Sequence, residues 1–167
     1  DNKNKEFNIK NYSKKINHLF LNFKKQGYKV FFLSHPKIKK KNQIIYKNCT
    51  KIENKADQYI KYSDLVIWSG SSTIDFPIIY KKKILIINSS EIKSYPTVQK
   101  VINGLKKYFN AEELNLDNLD NLNVRIKKFT IHANKKYKRY TDEFIKHPKS
   151  NNLMYSDIIL KILRNNL

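Results

Sequence analysis

The residues best suited to bind a ligand follow an apolar run near the middle of the chain. The sequence there reads Gly70, Ser71, Ser72 and Thr73. These residues join a predicted strand at 64–69 to a predicted helix at 74–81. In an open α/β sheet, ligands bind where parallel strands end. Glycine there lets a ligand approach the backbone, while hydroxyl groups and the N–H groups of a helix start bind anions. The pattern therefore predicts a loop that binds a phosphate or diphosphate.

A simpler interpretation of the same residues stays open. Ser72, with Asp75 three residues later, fits a capping box, in which both side chains would only bind backbone N–H groups. The loop is neither a Walker loop nor a dinucleotide-binding fingerprint, because it lacks Gly-Lys-Ser/Thr and G-x-G-x-x-G. The motif alone leaves both ligand binding and helix capping open.

A second polar pair, His35 and Pro36, directly follows an apolar run at 29–34. Carboxyl ends of parallel strands meet at one edge of a sheet, so this pair would lie at the same edge as the Gly-Ser-Ser-Thr loop. A histidine there could donate a hydrogen bond to a phosphate or protonate a leaving group near pH 7. His35 is thus a candidate catalytic residue. The same two residues would also fit an ordinary loop at the end of a strand.

Apolar periodicity predicts the elements that would position these residues. Helical spacing predicts a helix from Ile9 to about Gly27. The continuous run at 29–34 predicts a strand buried on both faces. Further strands are predicted at 49–53, 64–69 and 83–88. Further helices are predicted at 56–60, 74–81, 98–109, 124–146 and 152–165, with loops at 89–96 and 110–123.

This alternation predicts an α/β fold, a Rossmann-like three-layer sandwich with a short parallel sheet. Residues 1–8 are expected to form a frayed lead, and residues 9–167 a single domain. The chain starts without Met, and its first element is a helix, so the strand that usually comes first is missing. We therefore expect the C-terminal half of a larger, two-domain protein.

The composition excludes several classes of protein. The 167 residues carry a net charge of +20, yet 40% are hydrophobic and 13% aromatic, which excludes a disordered polybasic tail. The apolar runs are far shorter than the roughly 20 residues of a membrane-spanning helix. The single Cys49 excludes an internal disulfide framework and a cysteine-based zinc site, and it fits a reducing, cytoplasmic setting.

The positive charge is spread unevenly along the chain. It is +12 over residues 1–55, +1 over 56–97 and +7 over 98–167, so it is smallest around the candidate loop. Arginine, which suits nucleic-acid phosphates because of its bidentate fork, occurs only three times. AT-rich codon usage with a modest bias toward anionic ligands therefore explains the charge better than a dedicated nucleic-acid site.

These motifs together resemble the C-terminal half of a GT-B glycosyltransferase. The resemblance rests on the strand ending in His35-Pro36, on Ser-Asp-Leu-Val-Ile at 63–67, on the Gly-Ser-Ser-Thr loop and on Tyr-Lys-Lys-Lys-Ile-Leu-Ile-Ile at 80–87. It covers about residues 10–109. The chain resembles most the bacterial enzymes of capsule and cell-surface polysaccharide biosynthesis, such as the CDP-glycerol glycerophosphotransferase-like and sialyltransferase-like groups.

The resemblance implies a domain that binds a nucleotide-activated donor, CMP-, CDP- or UDP-linked, with no metal or further cofactor. It implies contacts to the donor phosphates from His35, Ser71, Ser72 and Thr73. It also implies a cytoplasmic transferase, at or near the inner membrane, that needs an N-terminal acceptor domain for activity. Trp68 departs from these families, which have small residues before the Ser-Ser pair.

Two alternatives stay open. A UDP-sugar epimerase shares the GT-B fold, although no acidic pair at the candidate edge is evident from the sequence. A non-catalytic, basic α/β module that binds nucleic acid or anionic lipid would also account for the charge.

Overall fold

The computed structural model describes residues 7–34 and 46–146, and helices alternate with strands along most of this length. The helices are α1 (Ile9–Lys25), α2 (Ala56–Tyr62), α3 (Asp75–Ile79), α4 (Ser90–Lys93), α5 (Pro96–Phe109), α6 (Leu122–Phe129) and α7 (Lys135–Tyr140). The strands are β1 (Phe31–Ser34), β2 (Thr50–Glu53), β3 (Leu65–Trp68), β4 (Lys83–Asn88), β5 (Leu114–Asn115) and β6 (Thr130–Ile131). A 3-10 turn (Ser72–Ile74) precedes α3, and a π-helical turn (Thr141–Ile145) follows α7.

The strands pair mainly in parallel. β1 pairs with β2, and β4 lies between β3 and β5 in a larger sheet, with all three of these ladders parallel. The α/β class with short parallel sheets is therefore confirmed. We call the edge of the larger sheet at which β3, β4 and β5 end the carboxyl edge, and the opposite one the amino edge.

The core forms on β4 and on the helices that cover it. Five of the six β4 residues are buried, because the apolar run Ile-Leu-Ile-Ile lies in the middle of the sheet. Ile102, Leu105 and Phe109 give α5 one buried stripe at helical spacing, and Ile16, Leu19 and Phe23 do the same for α1. These side chains belong to one continuous hydrophobic cluster.

The prediction that the first strand is buried on both faces is wrong. Phe31 is 43% exposed and the other three residues of β1 are only partly buried. β1 pairs with β2, which is itself largely exposed. An apolar run of this length therefore did not distinguish a central strand from one in a small two-stranded sheet.

The single helix predicted at 124–146 is also wrong. Two β-branched residues, Thr130 and Ile131, end α6 and pair antiparallel with β4, where Ile131 lies opposite Ile84. The chain then resumes as α7. Helical periodicity does not reveal this interruption, because a buried Ile131 fits a helix and a strand equally well.

Two predicted loops contain regular structure. Within 89–96, Ser89 caps α4, since its hydroxyl accepts a hydrogen bond from the N–H of Ile92 at 3.3 Å. Within 110–123, the chain forms β5, and Leu114 lies opposite Ile87 of β4. Both elements are too short to produce a periodic signal.

Several predictions fall outside the described residues, namely His35 and Pro36, the helix at 152–165 and most of the frayed lead at 1–8. The domain bounds consequently stay a prediction. Within the described part of the chain, no helix combines the length and apolar content needed to cross a bilayer.

Candidate functional site

Gly70 directly follows β3 and has a conformation that favours glycine. Its φ is +99°, a region that other residues rarely adopt. A Cβ at this position would also lie only 2.5 Å from Cγ1 of Val98 in the first turn of α5. The loop can therefore leave β3 at this angle, pressed against α5, only because residue 70 has no side chain.

The buried side chain of Trp68 holds the rest of this loop in place. Its ring is buried, 3% exposed, and its Nε1 donates a hydrogen bond to the carbonyl oxygen of Ser71 at 2.7 Å. The bulk that distinguishes Trp68 from the small residues of the resembled families therefore has a definite role in this chain. It holds the backbone of the Gly70 loop, residues 69–73.

The predicted capping box of Ser72 and Asp75 is not formed among the described residues. Ser71, not Ser72, caps the 3-10 turn, since its hydroxyl accepts from the N–H of Thr73 at 3.3 Å and lies 2.9 Å from the Thr73 hydroxyl. No capping bond from Asp75 is present among the described residues; instead, burial raises the pKa of its carboxyl group. Ser72 is exposed, and its hydroxyl has no hydrogen-bond partner within 7–34 and 46–146.

The helix that follows the loop is short. α3 has five residues and opens through a 3-10 turn rather than a full α-helical turn. Its dipole is correspondingly small, because the macrodipole grows with the number of aligned peptide units. Any anion bound here would thus depend on local hydroxyl and N–H groups more than on the helix.

The end of β4 adds buried polar groups at the same edge. Asn88 and Ser89 are fully buried, and the Asn88 Nδ2 donates to Oε1 of Gln99 on α5 at 2.9 Å. Since Gln99 follows Val98, the first turns of α5 contact both the Gly70 loop and the end of β4. The two strand ends are therefore linked through α5.

An ionic cluster ties α1 to the ends of β4 and β5. Lys15 Nζ lies 2.8 Å from both carboxylate oxygens of Glu91, and it also pairs with Asp117. Ser90 donates to Asp117 through its N–H at 2.8 Å and its hydroxyl at 3.0 Å. Asn11 donates a further hydrogen bond to Glu91. The cluster therefore joins α1 to groups that lie 75 to 102 residues further along the chain.

The charges of this cluster set the pKa of Glu91. Burial alone would raise the pKa, but hydrogen bonds from Lys15, the Ser89 hydroxyl, its own backbone N–H and Asn11 outweigh burial and lower the pKa to about 2. The pKa of Asp117 is also lowered, because burial raises it less than the hydrogen bonds from Lys15 and Ser90 lower it. Both carboxylates are therefore ionised at neutral pH and poor proton donors.

The first half of α1 lies across the carboxyl edge. Burial raises the pKa of Tyr12 to about 12, and its hydroxyl also interacts with Ser69 after β3 and with the charge of Glu91 after β4. Together with Lys15 at Asp117, which follows β5, this places α1 over all three strand ends. At this edge, Ser71 and Ser72 of the Gly70 loop remain exposed.

The described residues cover only part of the predicted site. The structure brings Gly70, Ser71, Ser72 and Thr73 together at the carboxyl edge, whereas His35 and Pro36 lie outside the described residues. Sequence reasoning missed Asn88 and Ser89, although polar residues after an apolar run are the signal that picked out the Gly70 loop. It also missed the cluster of Lys15, Glu91 and Asp117, because nothing in the sequence connects positions so far apart.

The assembled groups can hydrogen-bond an anion but supply no evident proton-transfer pair. The exposed hydroxyls are donors, and the carboxylates of Glu91 and Asp117 share the single positive charge of Lys15. No group of three His, Cys, Asp or Glu side chains suited to a metal occurs within 7–34 and 46–146. Compared with family models, curated proteins and solved structures, the chain shows no significant match.

Proposed function

We propose that this chain is the donor-nucleotide-binding domain of a glycosyltransferase or polyol-phosphate transferase of bacterial surface-polysaccharide biosynthesis. The observation that supports the proposal is the Gly70 loop, which packs against Val98 through Gly70 and places the exposed hydroxyls of Ser71 and Ser72 at the carboxyl edge. This is the part of an α/β sheet where nucleotides bind. The proposal extends to transferase activity only together with an acceptor-binding domain.

In this proposal, Ser72 contacts a donor phosphate directly. Its hydroxyl is exposed and without a partner among the described residues, so it can donate without breaking an internal hydrogen bond. Ser71 and Thr73 are less available to bind a phosphate, because their hydroxyls are hydrogen-bonded to each other at 2.9 Å. The predicted role of His35 is to donate a proton or a hydrogen bond to the leaving phosphate, which lowers the barrier as negative charge develops there.

The epimerase alternative gains a pair of carboxylates from the structure, since Glu91 and Asp117 meet at the carboxyl edge. That pair is held by Lys15, and the pKa of Glu91 is lowered to about 2. A general acid or base works best when its pKa lies near the operating pH. The transferase therefore remains the function we propose.

Nucleotide binding is best tested through the only tryptophan of the chain. Trp68 is hydrogen-bonded to Ser71, so a ligand on the loop should alter its emission. Titrations with CMP, CDP, UDP and GDP, followed by Trp68 fluorescence and by thermal stability, should reveal saturable binding of at least one of them. The proposal fails if none of the four binds.

A matched pair of variants locates the site. Ser72→Ala should weaken nucleotide binding roughly tenfold or more, because a hydrogen bond to a charged group contributes about 1.5–3 kcal/mol. Ser13→Ala, on α1, also changes a serine whose hydroxyl has no hydrogen-bond partner among the described residues, and this variant should bind as the wild type does. Equal affinity of both variants would place any bound nucleotide elsewhere.

A further inference from the structure

Two lysine-rich segments from distant parts of the chain meet at the amino edge of the larger sheet. Lys81, Lys82 and Lys83 lead into β4, and α7 carries three more lysines. The hydroxyl of Tyr137 donates a hydrogen bond to the Lys82 carbonyl at 2.9 Å, which fixes α7 beside the start of β4. We call this set the lysine surface; it consists of Lys81, Lys82, Lys83, Lys135, Lys136 and Lys138.

The sheet register supports the same placement. Ile131 of β6 lies opposite Ile84 of β4 in an antiparallel ladder. His132, which follows Ile131, therefore lies near Lys83, which precedes Ile84. From there only two residues separate the chain from the first lysine of α7.

The charge of the lysine surface is largely uncompensated. Four of its members are exposed and two are half-buried, and none forms an ion pair within the described parts of the chain. Residues 121–141 contain seven Lys and Arg and no acidic residue. Asp64 precedes Leu65, which lies opposite Lys83, so this carboxylate also lies at the amino edge. In the turn after α7, Glu143 is paired with Arg139, and Asp142 adds one further negative charge.

Exposed apolar side chains border the lysine surface. Ile79, at the end of α3, is 44% exposed and lies two residues before Lys81. Phe144, in the π-helical turn that continues α7, is 64% exposed, and this turn contacts α3. A surface that combines exposed cations with exposed aliphatic and aromatic groups suits the interface of a membrane, where both kinds of side chain find a partner.

We infer that the lysine surface binds a membrane that contains anionic phospholipids. The arginine of α7, Arg139, is paired with Glu143, so the unpaired charges of this surface are lysines. Lysine supplies point charges, which anionic lipids attract without any fixed geometry, whereas recognition of nucleic-acid phosphates favours the bidentate fork of arginine. The surface lies at the amino edge, opposite the Gly70 loop. A chain bound to a membrane in this way keeps its carboxyl edge accessible, and the inference does not depend on the proposed nucleotide site.

The test compares two variants with the same change in charge. Lys135→Gln/Lys138→Gln removes two lysines of the lysine surface, while Lys10→Gln/Lys14→Gln removes two exposed lysines of the α1 half that crosses the carboxyl edge. Binding of the full chain is measured by co-sedimentation with vesicles of phosphatidylcholine, alone or in equimolar mixture with phosphatidylglycerol. A single-stranded and a duplex oligonucleotide are titrated at the same salt concentration.

Wild-type protein should bind the mixed vesicles and not the neutral ones. Lys135→Gln/Lys138→Gln should weaken this binding by more than tenfold, since a lysine near an anionic bilayer contributes about 1 kcal/mol, and Lys10→Gln/Lys14→Gln should weaken it far less. Equal losses in both variants would mean that net charge acts without a specific surface, which overturns the inference. Absence of binding to mixed vesicles also overturns it.

A change in an apolar neighbour separates lipid from nucleic acid. Phe144→Ser should weaken binding to the mixed vesicles, because the ring no longer enters the interface, whereas Val124→Ser, which alters a similarly exposed residue of α6, should have little effect. If an oligonucleotide binds more tightly than the vesicles and depends on Lys135 and Lys138, the lysine surface is a nucleic-acid site and the membrane assignment is wrong.

Discussion

Val98 of α5 packs directly against the bare Cα of Gly70, so closely that a methyl group at residue 70 would lie 2.5 Å from Val98 Cγ1. Gly70 has at the same time a φ of +99°. Two independent restrictions therefore act on one residue, and both follow from the way in which the chain leaves β3. The shape of the Gly70 loop depends on α5 as much as on its own sequence.

Gly70→Ala should destabilise the protein by about 1–3 kcal/mol, because it combines an unfavourable φ with overpacking against Val98. Gly104→Ala is the matched control. Gly104 lies within α5, where a methyl group would meet no neighbouring atom, and alanine there should stabilise the helix by roughly 0.5–1 kcal/mol. Urea denaturation gives both free energies of unfolding, and destabilisation of similar size in the two variants would contradict this explanation.

Lys15→Met should destabilise the protein by roughly 3 kcal/mol, since it leaves the buried carboxylate of Glu91 without its cation. Lys14→Met, one residue earlier on the exposed side of α1, should change the free energy of unfolding by less than about 0.5 kcal/mol. Thermal or urea unfolding of both variants checks the difference. An unchanged stability for Lys15→Met would show that the cluster does not hold α1 on the carboxyl edge.

The protein should lose stability in acid through Glu91. Its pKa in the folded chain is about 2 against an ordinary value near 4.5, so the folded state favours the ionised form. The resulting stabilisation, on the order of 3 kcal/mol, is complete above the ordinary pKa and is lost as the pH falls toward the folded pKa. Urea denaturation between pH 6 and pH 2 should show this loss for the wild type and a smaller one for Glu91→Gln.

Trp68→Phe should loosen the Gly70 loop without unfolding the protein. It removes the hydrogen bond from Nε1 to the Ser71 carbonyl and leaves a small cavity, at a cost of about 1–3 kcal/mol. Amide hydrogen exchange at residues 69–73 should become faster, while exchange in α1 stays as it is in the wild type. Unchanged exchange in the loop would contradict the role given to Trp68.

Tyr137→Phe should weaken the attachment of α7 to β4 by about 1 kcal/mol, because the carbonyl of Lys82 loses its hydrogen bond. Tyr59→Phe serves as the control, since Tyr59 packs against Phe31 ring to ring, a contact that does not involve its hydroxyl. Differential scanning calorimetry should show a lower Tm for the first variant alone.

The elements that the sequence predicted well are those whose signal is local and long. The run at 83–88 corresponds to β4 residue for residue, and the stripe from Tyr12 to Phe23 corresponds to α1. Elements of two to four residues, such as α4, β5 and β6, were predicted as loops or helix. Their formation depends on hydrogen bonds to β4 and on caps, which no periodic pattern records.

In the candidate site, too, local features were predictable and tertiary contacts were not. The local sequence was sufficient to identify Gly70, Ser71, Ser72 and Thr73 as candidate site residues, because a glycine and three hydroxyls after a strand form a local pattern. Their individual roles were not predictable. Ser71 caps the turn and also accepts a hydrogen bond from Trp68 through its carbonyl, a contact that requires β3 to be packed.

The α/β class, the strand β4, the helix α1 and the place of a glycine-hydroxyl loop were predictable, because each follows from residue types that are close neighbours in the chain. By contrast, the position of α1 across the carboxyl edge and the meeting of the two lysine-rich segments at the amino edge depend on the folded chain. Those arrangements depend on the ion pair of Lys15 with Glu91 and on the hydrogen bond of Tyr137 with Lys82. The partners are 76 and 55 residues apart, and only packing brings them together.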